Sequence, residues 1–152
     1  MRRLRRTTAP FVLALALAAS LSACGDDDEP STTPDASPQA CRVVAVTHAS
    51  LAGAREAAKA GRFTGELLAT YDAAMTGLGT AVAGEGEVAP EITDAVVELA
   101  AAYSRTRGFI EEAMLSSTYR TAEAKALVGA EERLYQAVVD VCPALQPAAD
   151  DD

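Results

Sequence analysis

Among 152 residues the chain has one histidine, three cysteines and three methionines, and these side chains bound the chemistry open to it. His48 paired with Met75 or Met114 could ligate haem or a transition metal, because helical bundles hold such groups between side chains of facing helices. No spacing sets either methionine against His48, so all three are weak metal candidates. The paired ExxH segments of di-iron carboxylate bundles are absent, as are nucleophile elbows, phosphate-binding glycine loops and zinc-ligand spacings. The expectation is a non-catalytic protein with no cofactor. Tyr71, Tyr103, Tyr119 and Tyr135 read as amphipathic core residues whose hydroxyls reach the surface; the sharper alternative is a ligand cleft with hydroxyls at its mouth. Arg107 and Glu111, four residues apart, read as a solvated surface pair.

The cysteines divide by position. Cys24 follows a basic start, with Arg2, Arg3, Arg5 and Arg6, and an uncharged run from Phe11 to Ala23. That run is too short for a hydrocarbon core, which needs about 20 helical residues. A basic start, a short apolar centre and small residues at its end describe an export signal. Leu21-Ser22-Ala23-Cys24 resembles the lipobox of bacterial lipoproteins, in which a branched apolar residue and two small ones precede a cysteine. The resemblance covers only this leader. It implies cleavage after Ala23, a diacylglycerol group on the Cys24 thiol, and a membrane anchor on the extracytoplasmic face, where two acyl chains hold stably and one alone would be marginal. Simple secretory cleavage with an unmodified cysteine is the alternative. Twin-arginine export is a lesser one, because Arg5-Arg6 lacks a following apolar pair.

Charge narrows the partners. The leader holds four arginines and no acid, so removing it takes the formal charge from −9 to −13. Acids crowd the two tails, Asp26 to Glu29 in front and Asp150 to Asp152 behind. Nucleic acid is an unfavourable partner, since its binding rests on lysine and arginine neutralising phosphates. The carboxylate runs could draw a loose cation cloud, but they lack the spacing that fixes six or more oxygens around calcium.

The elements that must position these side chains read as helices. Residues 24–37, rich in proline, serine, threonine and aspartate, read as a disordered acidic tether, and 145–152 as an acidic tail. Between them lies one domain, 38–144. Ser37-Pro38 predicts a capped helix start, with a first helix to about Ala60 that stops at Gly61. Its stripe is Val44, Thr47, Leu51, Ala54 and Ala58. Thr64 can cap a second helix with Leu67, Tyr71, Ala74, Leu78 and Val82 inward. Pro90 opens a third, with Ile92, Val96, Leu99, Tyr103, Thr106, Ile110 and Ala113 on one face and a possible kink at Gly108. Residues 116–118 break the chain before a fourth helix carrying Leu127, Ala130, Leu134, Ala137 or Val138, and Val141. No segment sustains strand alternation. The expected fold is an all-α, up-down-up-down four-helix bundle.

Cys41 and Cys142 test that topology. They fall at the start of the first helix and the end of the fourth, which an even number of antiparallel helices brings together. A disulfide needs alpha carbons within about 7 Å, and an exported location permits oxidation. A Cys41–Cys142 bond is therefore expected, and a catalytic or redox thiol is the minor alternative. The functional expectation is a lipid-anchored envelope protein whose helical domain binds or scaffolds another envelope protein or a small ligand. A haem- or metal-binding carrier using His48 is the alternative.

Overall fold

The computed structural model describes residues 35–84, 86–116 and 120–146. The contacts divide the chain at Ser31–Thr32, and every described residue belongs to the second unit. The leader, Cys24, Tyr119 and both acidic runs lie outside the described residues. The described part is an all-α helical bundle: α1 (Ser37–Ser50), α2 (Ala52–Lys59), α3 (Gly65–Val82), α4 (Pro90–Ser116), α5 (Thr121–Val141) and a closing 3-10 turn (Pro143–Leu145).

The first helix differs from expectation at both ends. The residue preceding α1 is Ala36, which offers no side-chain cap. The Ser37 hydroxyl instead accepts the Ala89 N–H at 3.0 Å, while the Asp35 carboxylate accepts the Ser37 N–H at 2.9 Å. With the Ala36 N–H on the Glu87 carbonyl, these bonds tie the start of α1 to the segment leading into α4. Further along, the expected single helix to Ala60 is interrupted at Leu51. The His48 carbonyl takes the Leu51 N–H and a guanidinium N–H of Arg55, at 3.2 and 2.8 Å. Leu51 thus leaves the regular i−4 ladder for one residue, and α2 begins at Ala52.

Other boundaries follow their local chemistry. Beyond α2, Gly61 adopts φ 70°, and Arg62 and Gly61 donate to the carbonyls of Ala57 and Ala58. This is the paired closure that a left-handed residue after a helix makes possible. Thr64 caps α3 through the Leu67 N–H at 3.2 Å. Pro90 begins α4, which continues as one 27-residue helix through Gly108, a length of about 40 Å.

Packing buries one stripe from each long helix. All seven expected α4 residues are buried, joined by Ala102 and Phe109. On α3, Leu67, Tyr71, Ala74 and Leu78 are buried as expected, and Ala81 takes the place expected of Val82. On α5 Val138 is buried as expected, and Leu127, Leu134 and Val141 pack half-buried against the core. Ala124, Val128 and Glu131 are the other buried residues, so the first half of the inward face is centred one residue beyond the expected Leu127 and Ala130. α1 packs on α3, α3 on α4, α4 on α5, and α5 on α2. Gly77 permits close approach of α1 and α3, because a methyl group there would meet the Thr47 hydroxyl oxygen at 2.9 Å. Cys41 and Cys142 form the expected disulfide, with alpha carbons 5.9 Å apart.

Candidate functional site

A polar cluster crosses the bundle interior, and each of the five α-helices contributes to it. α1 supplies His48, α2 Arg55, α3 Tyr71, α4 Tyr103 and Thr106, and α5 Glu131 and Tyr135. Tyr71, Tyr103, Thr106 and Glu131 are fully buried, and His48 is 8% exposed. Each sits where helical spacing drives it inward: Tyr71 is four residues after Leu67, Tyr103 four after Leu99, and Glu131 three after Val128.

The hydrogen bonds define the chemistry. His48 Nδ1 lies 2.8 Å from the Tyr103 hydroxyl and 3.2 Å from Arg55 Nη1. A guanidinium has only donors, so Nδ1 presents its lone pair and the ring proton sits on Nε2. The Tyr135 ring stacks flat on the imidazole, with centroids 3.7 Å apart and planes 2° from parallel. Tyr71 meets Tyr103 edge-on at 6.0 Å and donates its hydroxyl to Glu131 Oε2 at 3.3 Å. Glu131 Oε1 has no hydrogen-bond partner. The Thr106 proton goes to the Ala102 carbonyl.

Burial dominates the electrostatics. It lowers the pKa of His48 to about 4, with the Arg55 charge acting in the same direction and Glu132 opposing. It raises that of Glu131 to about 7 against the opposing influence of Thr106, Tyr71 and Arg55. Both buried tyrosines are pushed well above the usual phenol range by burial, followed by the Glu131 charge. Outside the cluster, Lys59 bridges Glu56 and Glu132, each at 3.0 Å. Arg107 pairs with Asp72 at 3.1 Å and, as expected, with Glu111.

The other residues singled out by sequence fall differently. Met75 is half-buried against the core, and Met114 is exposed near the end of α4. Eleven residues of continuous helix separate Met114 from Tyr103, the α4 residue that touches His48, an axial distance of about 16 Å. The expected surface-reaching hydroxyls of Tyr71 and Tyr103 instead point inward and are engaged. Arg55 and Glu131 were not anticipated. Glu131 did leave a trace, because it is the charged member of the otherwise apolar series Ala124, Val128 and Val138. Arg55 left none. Among the described residues no group of three or more His, Cys, Asp or Glu side chains is placed to hold a metal ion. Comparison with protein-family models, curated proteins and solved structures finds no match to this chain.

Proposed function

We propose that the protein is a lipid-anchored envelope protein whose helical domain is a non-catalytic binding or scaffolding module. The Cys41–Cys142 bond carries the reading. Disulfides persist in oxidising, exported compartments, and this bond uses two of the three cysteines, leaving Cys24 at the lipobox-like segment for the lipid. The inward, mutually engaged polar cluster supports a structural role for the residues that sequence first offers as ligands. A partner then meets the outer helix faces, where Val46 and Val97 are 71% and 56% exposed.

Within the same proposal, α1 and α2 form one arm, broken at Leu51, of a four-arm up-down-up-down bundle. The disulfide between the first arm's start and the last arm's end supports this arrangement.

The deciding experiment is Cys24→Ala expressed in a bacterium with a lipoprotein pathway. The variant should leave the membrane fraction or accumulate with its leader uncleaved. Unchanged membrane partition and an unchanged mass would sink the anchor assignment. Crosslinking in intact membranes, followed by affinity capture, would then identify the partner.

A further inference from the structure

The interior cluster holds two titratable groups for which no direct ion pair compensates. Glu131 is fully buried and, among the described residues, takes part in no salt bridge. One of its oxygens has no hydrogen-bond partner and the other receives the Tyr71 hydroxyl at 3.3 Å, while the Thr106 hydroxyl, turned to the Ala102 carbonyl, is the further donor that favours the charged form. A carboxylate held this way lacks the donors that make a buried negative charge tolerable, so the neutral acid is the cheaper occupant. His48 is in the converse position. Its Nδ1 faces the Arg55 guanidinium at 3.2 Å and the Tyr103 hydroxyl at 2.8 Å, and an added proton there would oppose a cation that can only donate.

We propose that the folded interior keeps a proton on Glu131 while leaving His48 neutral, the reverse of the order these side chains show in water, and that this exchange levels the pH dependence of folding in the mildly acidic range. The inference does not depend on the lipid anchor.

The groups facing the pair from each packed helix are few. α2 presents Arg55 and, one turn further, Lys59, which is engaged by Glu132 and Glu56. α3 presents Tyr71, α4 Tyr103, and α5 itself Glu132 and Tyr135. Arg55 is the cation nearest both members, and it acts against protonation of each.

The signs oppose one another. The Glu131 pKa rises from an ordinary 4.5 to about 7 on folding. Its stabilising contribution is therefore full below 4.5 and is lost as the pH climbs through 7. The His48 pKa falls from 6.5 to about 4, so its contribution is full above 6.5 and is lost as the pH drops through 4. Between 4.5 and 6.5 the folded state binds one more proton at Glu131 and one fewer at His48 than the unfolded chain. The two slopes cancel there.

Urea unfolding of the intact, disulfide-bonded protein at pH 4.5, 5.5 and 6.5 tests this with Glu131→Gln and His48→Asn. Each amide keeps hydrogen-bonding capacity but does not titrate in this range. Relative to the wild type, which cancels the shared titration of surface acids, the unfolding constant of Glu131→Gln should fall by about 40-fold between pH 4.5 and 6.5. That of His48→Asn should rise by about 40-fold over the same interval. Slopes of the same sign, or a ratio independent of pH in either variant, would overturn the proposal. Carbon-13 NMR of the Glu131 carboxyl in the wild-type protein provides a test that needs no variant to fold. The protonated signal should persist at pH 5.5 and titrate near neutrality, and an ionised carboxylate at pH 5.5 would refute the inference.

Discussion

At the residue scale, the interior is governed by what each side chain does with its last polar atom. Tyr71 donates to a carboxyl that burial has pushed up to about 7, and that hydrogen bond is one of the influences drawing it back down. Tyr71→Phe should therefore move the Glu131 titration midpoint upward, observable by carbon-13 NMR. Glycines give a second, purely steric test. Gly77→Ala drives a methyl group against Thr47 at 2.9 Å and should destabilise by about 1–3 kcal/mol, the range for overpacked interiors. Gly79→Ala, two residues on in the same helix, meets nothing within 4 Å and should stabilise by about 0.5–1 kcal/mol through helix propensity. Thermal melts of the two variants should thus shift in opposite directions.

At the element scale, the break between α1 and α2 is the feature that periodicity could not supply. Val44, Leu51 and Ala58 keep a seven-residue rhythm on both sides of it, so the apolar pattern reads straight through. At the interruption Arg55 returns to the His48 carbonyl at 2.8 Å and the Ser50 hydroxyl donates to the Thr47 carbonyl at 2.7 Å, contacts of polar side chains that leave no mark on the stripe. Arg55→Met keeps the aliphatic reach and removes the donors. It should cost about 1.5–3 kcal/mol, the range for a hydrogen bond to a charged group, measurable by urea unfolding. Because the Arg55 charge lowers both pKa values, the same variant should raise those of His48 and Glu131 together in an NMR titration. By contrast, Gly61, Thr64 and Pro90 act on neighbours within a few residues, and each does at its boundary what its type and position predict.

At the scale of the whole molecule, the Cys41–Cys142 disulfide closes a loop with a sequence separation of 101 residues. In a domain with a core rich in alanine, such a closure supplies stability that limited apolar area does not. Cys41→Ser/Cys142→Ser, or reduction of the wild-type protein, should lower the unfolding free energy by up to about 4.7 kcal/mol in the chain-entropy treatment. A urea midpoint measured with and without reductant checks this. The pairing was expected from a four-helix topology, which would bring the start of the first helix and the end of the fourth together, and the two cysteines are bonded. The polar cluster was not, since His48 and Tyr103 are 55 residues apart and Tyr71 and Glu131 are 60 apart. No local rule relates residues so distant.

The sequence by itself determined the all-helical class, the starts of the four expected helices to within a few residues, the inward face of α4 and the cysteine pairing. These follow from forces acting over one or two turns, together with a parity argument on helix ends. Only the tertiary structure decided that the α5 face turns by one residue, that Glu131 rather than Ala130 enters the core, and that His48 meets Arg55 and two tyrosine rings instead of a methionine. The reason is physical. A helix's rotation about its own axis is set by how its whole surface packs against its neighbours, and a rotation of one residue exchanges a small apolar side chain for a charged one whose protonation the surrounding helices then control.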